Sequence, residues 1–146
     1  AGQVPAVILD DGRPLAQSIA IILPLAEGSD LIPVDAYDRA RMLEWMFWEQ
    51  YSHEPYVAVA RFQVRYQGKP VAELEPRVVE RGKAALQRLE DGLAQGPFLV
   101  GAAPTLADVA LVAYTRVAHE GGFDLAGYPR VKAWVARTEQ ALKIAD

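Results

Sequence analysis

The chain contains no cysteine. A disulfide framework, a thiolate metal site and a cysteine nucleophile are therefore excluded within these residues. It has only two histidines, His53 and His119, too few for a histidine-built metal site. It lacks a basic excess, since 15 Lys and Arg stand against 19 Asp and Glu, a formal charge of −4. That balance argues against nucleic acid or an anionic membrane surface as the main partner. Long apolar runs are missing too. The uncharged stretch Pro14 to Ala26 is interrupted by Gln17, Ser18 and Pro24 and is too short to span a bilayer. Ala1-Gly2-Gln3-Val4-Pro5 carries no basic segment leading into an apolar one, so no export signal is read and a cytoplasmic location is expected. Position 1 is not methionine, and the chain reads as a processed product or as part of a longer polypeptide.

What is present is ordinary globular material: 146 residues, 51% hydrophobic and 23% charged. A chain of this size holds a core without staples. Val4 to Leu9 is apolar and rich in β-branched residues. Asp10-Asp11-Gly12-Arg13 is a turn signal, and Pro14-Leu15-Ala16 returns as a short second strand. A lone hairpin is marginal in water, so this one must pair with something else. Gln17-Ser18 then opens a helical run, with Ser18 as N-cap or first-turn residue. Pro24 should kink or end it, and Leu31 to Val34 reads as a linker.

From Asp35 the pattern becomes one of long helices. The first is predicted from Asp35 to Tyr66, bent at Pro55. Its main stripe is expected at Ala36, Ala40, Leu43, Phe47 and Tyr51, with Met42, Trp45 and Met46 on the opposite side. One core cannot bury both faces. Either this is the central helix of an all-α domain, or it also meets another domain or subunit. A second helix runs from Glu73 or Pro76 to Leu93. Val78, Val79, Ala85, Leu86 and Leu89 face inward, and Arg77, Glu80, Arg81, Lys83, Arg88, Glu90 and Asp91 form a solvated face. Phe98 to Gly101 reads as a buried connector. Thr105 and Asp108 have capping-box spacing and open a nearly uncharged core helix, Leu106 to Val117. Tyr128-Pro129 opens a last helix to Lys143, with Val131, Trp134 and Val135 inward. No internal repeat is found.

Four stretches together resemble the glutathione S-transferase superfamily. They are Gln3-Val4-Pro5 entering a strand; Asp11-Gly12 followed by Leu15-Ala16-Gln17-Ser18-Ile19-Ala20-Ile21; Glu44-Trp45 through Glu49-Gln50; and Phe98-Leu99-Val100-Gly101 with Thr105-Leu106-Ala107-Asp108-Val109. The resemblance implies a mainly α chain: an all-α glutathione-transferase C-terminal domain preceded by the β-hairpin and helix that end a thioredoxin-like domain. Residues 1–28 would be the rear half of that domain, 29–34 a linker and 35–146 the all-α domain. The front of the thioredoxin-like domain, a βαβ unit of roughly 30 residues or more, would be absent, which accounts for the unpaired hairpin.

The resemblance further implies a glutathione site at Val4, Pro5, Gln17 and Ser18. Val4 would pair its backbone with the cysteine moiety of glutathione. Pro5 resembles the family's cis-proline, and Gln17 and Ser18 match positions that bind the γ-glutamyl end. A helix N-terminus suits a carboxylate; the residues alone favour Ser18 as a simple helix cap, and the resemblance turns the balance to the ligand role. The implied activity is conjugation of the glutathione thiolate to small hydrophobic electrophiles by a homodimer, in detoxification. Glutathione is the co-substrate, with no other cofactor and no metal. The family's thiol-activating serine, tyrosine or cysteine would lie in the missing front, so no catalytic residue is assigned and this fragment alone should be inactive. Pro24 and Ile19 depart from the family pattern. With the missing front, Pro24 motivates the alternative, a non-catalytic binding or scaffolding protein. Asp108 with Thr105 is expected to be a buried capping and folding element. Trp45 and Trp48 are read as packing or interface residues, His53 as a partly exposed helix histidine, and His119 as a cation near a helix C-terminus.

Overall fold

The computed structural model describes Gly2 and residues 4–144, so Gln3, the first residue of the matched stretches, lies outside the described residues. The hairpin forms from β1, Ala6–Ile8, and β2, Pro14–Ala16, antiparallel with Val7 opposite Leu15. Its turn is closed locally: the Asp11 carboxylate accepts the Arg13 backbone N–H and Nε–H at 3.0 and 2.7 Å. Gly12, at φ 84°, supplies the left-handed residue the turn requires. Helix α1, Ser18–Leu25, follows directly and packs Ile19, Ile22 and Leu23 toward the body of the protein, while Ile21 is buried apart from that core. Pro24 stands in its last turn, so it ends the helix rather than distorting its start.

The predicted long helix is a continuous helical run of four pieces. Helix α2, Ala36–Trp48, starts at Asp35, whose carboxylate accepts the N–H groups of Tyr37 and Asp38 at 2.9 and 3.0 Å. A π-helical turn, Glu49–His53, leads into α3, Glu54–Arg61, and a second π-helical turn, Phe62–Tyr66, ends the run. Pro55 explains the first of these. It has no N–H to offer the carbonyl of Tyr51, and the chain absorbs the missing bond as a wide turn.

Of the two apolar faces, the main stripe is the outer one, apart from Leu43, which is half-buried against the core. Met42, Trp45 and Met46 are buried, whereas Ala36 and Ala40 are exposed, Phe47 is 66% exposed and Tyr51 83%. Periodicity locates two apolar faces but does not say which one meets the core. Packing decides it here: the Trp45 indole lies against Gly92, where a Cβ would come within 2.5 Å of the ring.

Helix α4, Pro76–Gly92, buries Val78, Ala85, Leu86 and Leu89 as its stripe predicts, and Gly82 besides, while Val79 is half-buried. Glu90, assigned to the solvated face, is instead 6% exposed. Its carboxylate accepts the backbone N–H groups of Arg130 and Val131 at 3.2 and 3.0 Å. These open α6, Pro129–Leu142, whose own start offers no side-chain cap. The charge is buried because the neighbouring helix needs it.

Helix α5, Leu106–Thr115, lies at the centre and begins with the predicted capping box. Asp108 is fully buried and gathers four donors: Leu99 N at 3.0 Å, Thr105 N at 2.8 Å, Thr105 Oγ1 at 3.1 Å and Trp134 Nε1 at 2.7 Å. It ties the 98–101 connector, α5 and α6 into one core. Among the described residues, no helix is long and apolar enough to cross a membrane.

Candidate functional site

The N-terminus of α1 is open. Gln17 stands at the cap position with φ 75° and ψ 122° and makes no side-chain cap bond. Positive φ is uncommon for a residue with a Cβ and carries strain. The first helical N–H groups have no intrahelical acceptor; the first that does is Ile21 N, which reaches Gln17 O at 3.0 Å. Ser18 is the first helical residue and not the cap, and its hydroxyl has no hydrogen bond within the described residues.

The cis Val4–Pro5 peptide bond lies beside this helix start. Val4, Pro5, Gln17 and Ser18 line one hollow of about 490 Å³, together with Gly2, Gln50 and Glu54. The structure thus brings all four sequence-predicted residues together and adds three that sequence reasoning missed, Gly2 among them. Gln50 comes from the π-helical turn and Glu54 from the first position of α3. A second hollow of about 340 Å³ continues from Val4, Pro5 and Ser18 over Glu49, Gln50 and Glu54 to Val109 and Tyr114 of α5. A third, also about 340 Å³, runs from Glu54 and Tyr114 along Ala58, Val59, Arg61, Phe62 and Tyr66. Glu54 lines all three.

Electrostatics differ along this channel. Burial pushes the Glu54 carboxyl above the ordinary range; the charge of Glu49 adds to the push and a hydrogen bond from Gln50 opposes it. The Gln50 amide also donates to Glu49 Oε2 at 2.6 Å. Burial likewise raises the Tyr114 phenol, helped by Glu54 and Glu49 and opposed by Arg61. Arg61 donates from Nε to Glu120 Oε2 at 2.6 Å and lies over the Tyr66 ring, 5.3 Å from its centroid. No cluster able to hold a metal ion occurs among the described residues.

The remaining candidates lie elsewhere. His53, expected to be partly exposed, is fully buried, because the π-helical turn rotates it inward. Its Nε2 is 3.0 Å from Thr115 Oγ1, and that hydroxyl donates its one proton to Leu111 O at 2.7 Å. Nε2 must therefore carry the hydrogen in the pair, which leaves Nδ1 without a hydrogen-bond partner, 3.9 Å from Glu49 Oε1. His53 lines none of the three hollows. Trp45 and Trp48 pack edge to face, 5.3 Å between centroids, as packing residues. His119 is exposed in a short 3₁₀ turn, Ala118–Gly121.

A family model described as the C-terminal domain of glutathione S-transferase matches residues 72–137. The crystal structure of a glutathione S-transferase from Xanthobacter autotrophicus Py2 is 48% identical, with a TM-score of 0.88 over 94% of this chain and 68% of that one. The glutathione S-transferase GstA of Escherichia coli O157:H7 is 28% identical over 99% of this chain and 72% of its own length. The disulfide-bond oxidoreductase YfcG of Escherichia coli K12 is 30% identical over 92% of this chain and 66% of its own length. The chain thus spans about two thirds of each of these relatives. A solved transferase superposes over 94% of the chain at 48% identity, so the chain belongs to the glutathione S-transferase superfamily.

Proposed function

We propose that the full-length protein binds glutathione through Val4, Pro5, Gln17 and Ser18 and conjugates its thiolate to small hydrophobic electrophiles. One observation carries this reading: residues from two separate segments converge on a single hollow at the uncapped N-terminus of α1. The free N–H groups there, with the Ser18 hydroxyl, suit the γ-glutamyl carboxylate. The exposed backbone at Val4 suits the cysteine moiety. Pro24, which with the missing front motivates the alternative of a non-catalytic binding or scaffolding protein, sits at the far end of α1 from Ser18 and leaves the helix start undistorted.

A free thiol has a pKa near 8.5. A hydrogen bond donated to its thiolate, worth roughly 1.5–3 kcal/mol, lowers that by about one to two units. The thiolate then becomes abundant near neutrality and is the nucleophile. In this reading the donor belongs to a thioredoxin-like part of which residues 1–28 are the rear half, joined by 29–34 to the all-α domain of 35–146. The protein works in the cytoplasm, in detoxification, as a homodimer joined over the exposed Phe47 and Tyr51 face.

Calorimetric titration of full-length protein with glutathione tests the reading. Saturable binding is expected, with Ser18→Ala weakening it by about tenfold, or about 1.4 kcal/mol. No binding, or binding indifferent to Ser18→Ala, overturns it.

A further inference from the structure

The third hollow shares Glu54 and Tyr114 with the second, which runs back to Val4, Pro5 and Ser18, so in the glutathione reading a group attached to the sulfur would extend toward it. Its apolar walls are Ala58, Val59, Phe62, Tyr66 and Tyr114. Its one cation is Arg61, and that charge is spent. Arg61 is paired with Glu120 at 2.6 Å and laid on the Tyr66 ring, so a ligand anion would have to break a formed ion pair to use it. Glu54, at the junction, has Gln50 as its hydrogen-bond partner and no cation within ion-pair distance among the described residues. Glu49 adds a second negative charge beside it, and both carboxylates contribute to the upward push on Tyr114. The passage from sulfur to aromatic wall is therefore negative, and a glutathione thiolate would add a third negative charge.

We propose that this hollow accepts uncharged aromatic electrophiles and rejects carboxylate-bearing ones, with Glu54 as the specificity-determining residue. The inference rests on the glutathione reading above and narrows its substrate class. Two like charges a few ångströms apart in a partly buried channel change affinity by roughly tenfold or more.

The test uses full-length protein and three thioethers in calorimetry: S-methylglutathione, S-benzylglutathione and S-(4-carboxybenzyl)glutathione. The benzyl ligand should bind more tightly than the methyl one, and the carboxybenzyl ligand at least about tenfold more weakly than the benzyl one. Glu54→Gln should bring the last two within about threefold of each other. Glu120→Gln, which frees Arg61 for a ligand carboxylate, should narrow the same ratio independently, so a failure of one variant to fold leaves the other to decide. Equal affinities in the unmodified protein, a preference for the carboxylate, or a ratio that neither variant moves overturns the inference while leaving glutathione binding intact. Failure of all three ligands to bind overturns the glutathione reading and this inference with it.

Discussion

Asp108 shows how much one buried carboxyl can organise. Burial pushes it above the ordinary range against four donors that hold it down. Replacement by alanine would leave Leu99 N, Thr105 N and Trp134 Nε1 buried without acceptors. At roughly 1–3 kcal/mol for each unsatisfied group, Asp108→Ala should cost at least about 3 kcal/mol in urea unfolding. Glu54 makes a different prediction. Its folded value lies above its ordinary one, because of burial first and Glu49 second. The fold therefore holds this proton more tightly than the unfolded chain does, and stability falls as pH rises through the window between the two values. Glu54→Gln should flatten that slope, read from unfolding midpoints between about pH 4 and 7. The role of Asp108 was legible because Thr105 lies three residues before it. Those of Glu90 and His53 were not: their partners, the start of α6 and Thr115, are 40 and 62 residues away.

Among the elements, local signals marked the starts that cap themselves and missed those capped from elsewhere. Asp35 and Thr105 announce α2 and α5, whereas the start of α6 depends on Glu90, which periodicity placed in solvent. Gly121 and Gly122 are neighbours that do different work. Gly122 takes φ 85° to end its turn, while Gly121 lets that turn close on α3: a Cβ there would lie 2.8 Å from Arg61 N and 3.2 Å from Ala60 C. Backbone cannot swing aside as a side chain can. Gly121→Ala should therefore destabilise the protein by about 1–3 kcal/mol, measurable as a lowered thermal midpoint.

For the molecule as a whole, the hairpin and the two-faced helix were the informative oddities. Physics alone said that the hairpin needs a partner and that one core cannot cover both faces of α2. It could not say which face the core would take, because that depends on Trp45 finding Gly92 across 47 positions of chain. The proposed dimer makes the exposed face testable. Phe47→Asp with Tyr51→Asp should leave circular dichroism unchanged and halve the mass found by light scattering of full-length protein. A monomer before substitution, or a dimer that survives it, rejects that face as the contact.

The π-helical turn at Glu49–His53 has a geometric consequence that reaches across the channel. A helix advances about 100° per residue, so the residue taken up by the wide turn sets the rotational phase of everything after it. Deleting one residue there would rotate α3 by about a quarter turn or more about its axis. Glu54 would leave the junction of the three hollows, and Phe62 and Tyr66 would leave their wall together. One slack residue thus times the whole lining, and relatives that gained or lost it would present a different channel wall in a single step, without exchanging any side chain.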